Sequence, residues 1–270
     1  MASGLRERIA TALVLAAVVV GVLGWLPAWV ALPVIATVIL AGAWEWAGFA
    51  GIRSPAGRLL YVVAIGAAAA VALSLTQDPA SLTIFLTAAA LWWLIAFLWL
   101  ALASRKGGNA AAAIAGFPVL VPAAVGLARL VLVEPNGRML LLYLLVLIAA
   151  ADVGAYFGGR ALGRHKLAPR VSPGKTWEGF ATGMLAAATA AVAGALMFGV
   201  PVSAWVALCV VVALVSVVGD LFESMFKRRA GLKDSSNLLP GHGGVLDRID
   251  SITAACPTFL LGLYALGIPA

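Results

Sequence analysis

The sequence predicts an all-α polytopic membrane protein with about nine transmembrane helices, its N-terminus cytoplasmic and its C-terminus on the opposite side. Composition is the first reason: 63% of the 270 residues are hydrophobic and 11% are charged, whereas charged residues make up about a quarter of a soluble domain. The mean hydropathy of +1.06 is the second reason. Because a spanning helix needs roughly 20 apolar residues, nine of them leave about 90 residues for everything polar. A separate soluble domain is therefore not expected.

Nine apolar runs, bounded by charged residues or by Pro and Gly, justify the helices in chain order. They cover residues 9–26, 28–49, 59–76, 80–103, 110–133, 139–157, 180–200, 204–221 and 252–268. Pro27 alone separates the first two runs, which we interpret as a helical hairpin. Arg6 and Arg8 before the first run also fit a cleaved secretory signal. That interpretation is less favoured, because the chain that follows is itself membrane-embedded.

The distribution of basic residues sets the predicted orientation. If the N-terminus is cytoplasmic, 16 of the 18 Lys and Arg residues fall in inside segments, and only Arg129 and Arg138 lie toward the other face. Such a bias is what the positive-inside rule describes. The net charge of +7 is therefore interpreted as membrane topology, and no nucleic-acid partner is expected. We expect a multi-pass protein of the inner or plasma membrane whose active site faces the cytoplasm.

Two long polar segments, 158–179 and 222–251, carry most of the chemistry. Residues 1–138 hold about five helices, so the predicted catalytic region is 139–270, with the two segments as cytoplasmic loops. Seven of the eleven acidic residues lie in or beside these segments: Asp152, Glu178, Asp220, Glu223, Asp234, Asp247 and Asp250. Cys209 and Cys256 stand alone in apolar runs, which argues against a disulfide framework or a Cys/His zinc site.

Two further features lie outside or at the edge of these segments. Glu45, between Trp44 and Trp46, is interpreted as an interfacial acid paired with a loop arginine. Gly179 and Gly183 stand at GxxxG spacing and predict close helix packing.

The segment from Asp220 to Asp250 has the composition of a metal and phosphate site. It contains five acids and five bases, whereas a surface that only attracts anionic lipid would be basic. Asp220 with Glu223, and Asp247 with Asp250, are spaced i, i+3 and would each share a helical face. Carboxylates bind Mg²⁺ through oxygen, while Lys and Arg neutralise phosphate. Salt bridges that tie the loop to the helix ends are the alternative interpretation.

Three glycines surround His242 within the same segment. Gly241, Gly243 and Gly244 would form a turn whose backbone N–H groups face an anion, or simply a turn. His242 is a candidate general acid or phosphate donor, with a structural loop histidine as the alternative.

The segment that begins at the end of the sixth run is strongly basic. Its candidate residues are Asp152, Tyr156, Ser172, Lys175, Thr176 and Glu178. Gly174-Lys175-Thr176 is not part of a P-loop, because Pro169 occupies the position of that motif's first glycine. We interpret Lys175 as a phosphate-binding residue, and Arg160 and Arg164 as anchors at the cytoplasmic face.

A fixed-spacing pattern runs through the second segment: Ser224, Lys227-Arg228, Lys233-Asp234, His242-Gly243-Gly244 and Asp247-Arg248-Ile249-Asp250. It resembles the signature of the phosphatidate cytidylyltransferase (CDP-diacylglycerol synthase) family. The SPGKTWEG run from Ser172, preceded by Asp152 and Tyr156, is similar to that family too. In the N-terminal half the resemblance is limited to hydropathy and the Glu45-Trp46 pair.

The resemblance implies transfer of CMP from CTP to phosphatidic acid, giving CDP-diacylglycerol and pyrophosphate, in a homodimer that uses Mg²⁺, with K⁺ as an open addition. By position, Asp220 and Asp247 resemble the family's metal-binding acids, and the i, i+3 spacing adds Glu223 and Asp250 to the expected metal ligands. The expected catalytic residues are Asp220, Lys227, His242 and Asp247. The expected substrate-binding residues are Asp152, Tyr156, Ser172, Lys175, Thr176, Glu178, Lys233, Asp234, Gly243, Gly244 and Arg248.

Two rival functions make different demands on the sequence. A transporter or channel predicts charged residues at mid-bilayer and two similar halves, and neither is found. A CDP-alcohol phosphatidyltransferase predicts a DGxxAR-type acid cluster, which is absent. Cytidylyl transfer needs no catalytic base, because the phosphomonoester of phosphatidate is largely ionised at neutral pH. The sequence shows no Ser/His/Asp or Cys/His arrangement, which agrees with that chemistry.

Overall fold

The computed structural model describes residues 14, 16–103, 107–133, 136–239 and 243–268. Within these residues the chain forms nine helices and a two-stranded antiparallel sheet. The helices are α1 (Ala16–Trp25), α2 (Ala28–Phe49), α3 (Pro55–Leu75), α4 (Pro79–Ala103), α5 (Asn109–Leu132), α6 (Gly137–Leu162), α7 (Trp177–Phe198), α8 (Val202–Arg229) and α9 (Leu246–Ala265). Strands β1 (Lys166–Ala168) and β2 (Ser172–Thr176) form a hairpin between α6 and α7.

Seven of the described helices, α2 to α8, are long and apolar enough to cross a membrane. α9 has 20 residues, but Asp247, Arg248 and Asp250 stand near its start. The described part of α1 is a shorter apolar helix. The predicted all-α membrane class is confirmed. The count of nine spans stays a prediction, since seven of the described helices have the length and composition of a span. The sides of the membrane on which the termini lie remain a prediction.

The ends of α6, α7 and α8 differ from the predicted boundaries. α8 continues to Arg229, eight residues past the predicted end of the eighth run at Leu221, because the i, i+4 pair of Glu223 and Lys227 supports further turns. The segment 158–179, predicted as a loop, holds the last turn of α6, the hairpin and the start of α7. The hairpin pairs Lys166 with Thr176, which brings the end of β2 back beside α6.

α6 and α7 pack at very short distance through glycines on both helices. A Cβ on Gly154 would lie 2.6 Å from Ala186 Cβ, and a Cβ on Gly183 would lie 2.8 Å from the carbonyl oxygen of Ala151. Gly179 likewise faces the Ala155 carbonyl oxygen at 2.7 Å. Because small residues let helix backbones approach within the membrane, these contacts confirm the close packing predicted from Gly179 and Gly183.

α9 lies in the middle of the bundle, against α8, α5, α4 and α2. Glycines on three neighbouring helices leave room for α9. A Cβ on Gly126 of α5 would lie 3.0 Å from Cys256 Sγ, one on Gly42 of α2 would lie 3.3 Å from Leu246 Cδ1, and one on Gly219 of α8 would lie 2.7 Å from the Asp250 carbonyl oxygen. The start of α9 is thereby held between α2 and the last turns of α8, where the polar residues gather.

Candidate active site

The last three turns of α8 carry the first group of polar side chains. Glu223 and Ser224 lie three and four positions after Asp220, and Lys227 lies four and three positions after those two, so all four side chains share one face of the helix. Ser224 Oγ donates to Asp220 Oδ1 at 3.3 Å. This face points toward the start of α9, because α8 and α9 pack along each other.

Lys227 lies between two carboxylates. Its Nζ is 3.0 Å from Glu223 Oε1 and 2.6 Å from Asp247 Oδ1. The residue is 7% exposed and Glu223 is 2% exposed. Among the described residues, neither carboxylate oxygen of Glu223 has a hydrogen-bond partner of good geometry. An ion pair with so little access to water costs desolvation, so it is stable only as long as all of its members are present.

Asp247 accepts several hydrogen bonds from residues that precede it in the chain. Its Oδ2 accepts from the backbone N–H of Ser235, from the Ser235 hydroxyl and from the backbone N–H of Gly244, each at 2.8 Å. Gly243 has φ of +80°, and a Cβ there would lie 2.7 Å from Asp247 Oδ2. Of the predicted anion-facing turn, the described Gly244 directs its backbone N–H to an anion, whereas Gly241 and His242 lie outside the described residues. Within the described residues, that anion is the protein's own Asp247.

The hairpin brings Lys175 to the same place from the other segment. Lys175 Nζ lies 2.6 Å from Asp220 Oδ2, and both side chains are about a quarter exposed. Asp152 of α6 is exposed and close enough to interact electrostatically with Lys175, Asp220 and Arg248. The two predicted polar segments therefore meet in one site, joined by the pair of Lys175 and Asp220.

A cavity of about 600 Å³ opens beside this pair. Asp152, Tyr156, Arg160, Lys175 and Thr176 line it with polar groups, whereas Leu167, Phe180, Met184 and Val217 line it with apolar ones. Its volume falls within the range of small-molecule pockets, about 300–1,000 Å³. A cavity lined by both charged and apolar side chains suits a ligand that is itself amphiphilic.

Several predicted site residues also make contacts that hold the local structure. Thr176 Oγ1 caps α7 by accepting from Gly179 N at 3.1 Å. Glu178 accepts from the backbone N–H groups of Arg164 and His165 and lies 2.6 Å from His165 Nδ1. These contacts close the hairpin onto α7, so the structure gives both residues a positioning role.

The remaining predicted residues lie in the hairpin, on the surface, at the cavity or outside the described residues. Ser172 pairs with Ala168 in the hairpin. Lys233, Asp234 and Arg248 are exposed. Tyr156 accepts a hydrogen bond from Arg160 Nη1 at 3.2 Å on the cavity rim. Gly241 and His242 lie outside the described residues, so the predicted catalytic role of His242 stays a prediction.

Glu45 of α2 is the functional neighbour that the sequence prediction misplaced. It is 2% exposed, and its partners are the hydroxyls of Ser235 and Ser236 and the backbone N–H groups of Val245 and Leu246. The predicted loop arginine is not among these partners. Burial explains the difference, since a carboxylate inside the bundle needs several donors close by. The signal in the sequence was an acid within an apolar run, which is a functional candidate by default.

Together, the fold and the site define a multi-pass membrane protein with a mixed-charge site of the kind that enzymes acting on phosphate groups use. A model described as the cytidylyltransferase family matches residues 6–266. The chain is 42% identical to phosphatidate cytidylyltransferase of Pseudomonas aeruginosa over 97% of its length and 98% of that protein. It is 39% identical to the Haemophilus influenzae protein of the same name over 94% and 97% of the two chains.

A shorter match joins the chain to phosphatidate cytidylyltransferase of Bacillus subtilis, 42% identical over 49% of this chain and 51% of that protein. The chain belongs to the cytidylyltransferase family. The resemblance inferred from the motifs of the second segment is thereby confirmed.

Proposed function

We propose that this protein transfers CMP from CTP to phosphatidic acid, giving CDP-diacylglycerol and pyrophosphate for phospholipid synthesis. The observation that carries the proposal is the ion pair of Lys175 and Asp220 beside a cavity that Lys175, Asp152 and several apolar side chains line. The names of the relatives, which cover nearly the whole chain, support the same activity.

For this reaction the protein has to position the two substrates and compensate the negative charge of their phosphate groups. A phosphate oxygen of phosphatidate attacks the α-phosphorus of CTP, and the bond from that phosphorus to the bridging oxygen breaks, so its electron pair leaves with pyrophosphate. The attacking oxygen is already ionised at neutral pH, and no side chain has to remove a proton. Lys175, which lines the cavity, would neutralise phosphate, while fixed charges would stabilise the leaving group.

The proposal includes Mg²⁺, and the acids of the site fit a cation in part. Asp220 and Asp250 interact electrostatically, and the buried Glu223 carboxylate has Lys227 as an ion-pair partner but no hydrogen bond of good geometry among the described residues. A bound hard cation would reduce the repulsion between carboxylates that lie close together. Asp220, Glu223 and Asp250 are the acids that would hold the ion once their carboxylates converge, and the ion would neutralise phosphate charge. Asp247 has only Oδ1 left for a metal, shared with Lys227.

The described acids do not yet form a finished ion cage, since no group of three or more metal-binding side chains converges among them. Lys175 and Lys227 occupy oxygens of Asp220 and Asp247 instead. Ligation would therefore require the carboxylates to converge and these lysines to move to the substrate phosphates, which is compatible with the long side chains of the lysines. K⁺ as a second cation and a homodimer remain proposals that rest on the family resemblance.

One reaction tests the proposed function. Detergent-purified protein incubated with labelled CTP, phosphatidate and Mg²⁺ should form labelled CDP-diacylglycerol. Asp220→Asn and Asp247→Asn should each lower kcat by roughly 100-fold or more, because charge compensation at the transferring phosphate is lost. Asp78→Asn, in an exposed acid of the α3–α4 connection, is the matched control. Pyrophosphate release without lipid nucleotide would contradict the proposed acceptor, and near wild-type activity of both variants across a Mg²⁺ titration would contradict the metal.

A further inference from the structure

Glu45 binds the segment that leads into α9 with both of its oxygens. Oε1 accepts from Ser236 Oγ at 2.6 Å and from Val245 N at 3.0 Å. Oε2 accepts from Leu246 N at 2.7 Å and lies 2.9 Å from Ser235 Oγ. Hydrogen bonds to an ionised acceptor are stronger than neutral ones, so a single side chain of α2 fixes the segment at both of its ends.

The backbone contacts of Glu45 also set where α9 begins. The first N–H groups of a helix have no partner within the helix, and Glu45 satisfies those of Val245 and Leu246 from a different helix. A carboxylate at this end also favours the helix dipole. Because Asp247 is the next residue of α9, the position of its carboxylate depends on this attachment.

Ser235 joins the two carboxylates directly. Its hydroxyl oxygen lies 2.9 Å from Glu45 Oε2 and 2.8 Å from Asp247 Oδ2. A hydroxyl has one proton, so it donates to one carboxylate at a time, while the backbone N–H of Ser235 serves Asp247 throughout. Asp247 in turn holds Lys227. An unbroken chain of contacts therefore runs from α2 to the buried pair on α8.

Gly244 provides an independent sign that this contact is close. A Cβ at this position would lie 2.6 Å from both oxygens of Glu45. Its backbone N–H meanwhile donates to Asp247 Oδ2. Only glycine lets the chain pass between the two carboxylates, so the contact with Glu45 accounts for the second glycine of the His-Gly-Gly motif.

We propose that Glu45 is a positioning residue of the active site, which fixes the described residues before and after the stretch 240–242 and, through Ser235, the carboxylate of Asp247. The proposal rests on the proposed function for its kinetic consequence, but not for its structural one. It assigns the N-terminal half of the chain a direct part in aligning the site.

The kinetic test is Glu45→Gln, which keeps the side-chain volume but replaces one accepting oxygen by an N–H donor. Loss of an outer partner of a metal or catalytic ligand typically lowers affinity or activity by about 10–100-fold. We expect a fall of that size in kcat/KM and a higher Mg²⁺ concentration for half-maximal activity. Tyr61→Phe is the control, because it removes one hydrogen bond, from Tyr61 Oη to the Ala113 carbonyl oxygen, away from the segment.

A double-mutant cycle separates positioning from a general loss of stability. Because Glu45 acts through Ser235, the effects of Glu45→Gln and Ser235→Ala on kcat/KM should be non-additive, whereas those of Glu45→Gln and Tyr61→Phe should add. If Glu45→Gln does not yield folded protein, Ser236→Ala, which removes one of the four donors, carries the same comparison. A variant with a lower Tm but unchanged kcat, KM and Mg²⁺ requirement would overturn the proposal.

A spectroscopic readout does not depend on the reaction. Leu238 is 57% exposed and the native Cys209 and Cys256 are buried, so Leu238→Cys accepts a spin label selectively. Glu45→Gln should make the nitroxide more mobile, and Tyr61→Phe should not. If the wild type makes no CDP-diacylglycerol but the label responds as expected, the proposed function fails and the positioning role stands. An unchanged label mobility would refute the positioning role.

Discussion

Lys227 shows at the scale of single residues how the site tolerates buried charge. Its ammonium group lies within 3.0 Å of one carboxylate and 2.6 Å of another, and each of those carboxylates belongs to a different helix. It therefore ties α8 to α9 while it compensates acids that water hardly reaches. A residue with this role is expected to matter for stability as well as for catalysis.

Replacement of Lys227 by Met should destabilise the protein strongly. It keeps the volume of the side chain but leaves Glu223 and Asp247 without their cation. Breaking one partner of a buried pair costs about 3–5 kcal/mol, which corresponds to a fall in Tm of roughly 10 °C for a chain of this size. Thermal unfolding in detergent measures it. Lys166→Met, in an exposed lysine of β1, is the control, and an equal Tm for both variants would contradict the assigned role.

The residues of the site were accessible from the sequence to different degrees. Asp220, Asp247 and Lys227 were predicted because they lie close together along the chain in a recognisable pattern. Glu45 was predicted as an acid but with the wrong partner, since its donors lie about 190 to 201 positions away. The spacing of residues along one helix gives no information about contacts between residues so far apart in the sequence. Only the packing of α2 beside α9 brings the two together.

At the scale of elements, the pair of α6 and α7 forms the wall of the cavity. α6 contributes Asp152 and Tyr156, and α7 contributes Phe180 and Met184. The distance between the two helices is set by glycine contacts with backbone and with Ala Cβ atoms. Because these partners cannot move aside as a flexible side chain can, the width of the cavity depends on the glycines.

Gly154→Ala should force α6 and α7 apart. The new methyl group would lie 2.6 Å from Ala186 Cβ and 2.9 Å from the Thr182 carbonyl oxygen. Overpacking of this kind costs about 1–3 kcal/mol, so we expect a lower Tm together with weaker substrate binding, seen as a higher KM.

Gly21→Ala is the matched control, since a Cβ on this helical glycine meets nothing within 4 Å. It should be neutral or stabilise the protein by up to about 1 kcal/mol. Unaltered Tm and KM in Gly154→Ala would show that the two helices have more freedom than the contacts indicate.

Helices were predicted well and their ends poorly, for reasons that particular residues make clear. Apolar runs identify the helices, but α8 extends into a polar stretch because Glu223 and Lys227 pair across a turn. The β-hairpin follows no alternating pattern, since Pro173 and Gly174 stand within β2. The register of the hairpin is set by contacts with the neighbouring helices. Glu178 of α7 accepts from the backbone N–H of Arg164, and Lys175 forms an ion pair with Asp220 of α8.

At the scale of the whole molecule, the two ends of the bundle differ in chemistry. The end that holds the site gathers acids, bases and the hairpin. At the other end, Arg129 donates to the carbonyl oxygens of Leu73 and Thr76 at the end of α3. Arg138 donates to the carbonyl oxygen of Leu26. The arginines predicted to lie outside are thus engaged with free carbonyls at helix ends, where cations are favourable.

The predicted orientation can be measured with single cysteines at the two ends. Asp78 lies between α3 and α4, and Leu238 lies between α8 and α9, so the course of the helices puts them at opposite ends of the bundle. Both positions are exposed. If the site faces the cytoplasm, a membrane-impermeant maleimide should label Asp78→Cys in right-side-out vesicles and Leu238→Cys only in inverted ones. The unsubstituted chain is the control, because Cys209 and Cys256 are buried. Labelling of Leu238→Cys in sealed right-side-out vesicles would reverse the orientation and would place the site on the face that CTP in the cytoplasm does not reach.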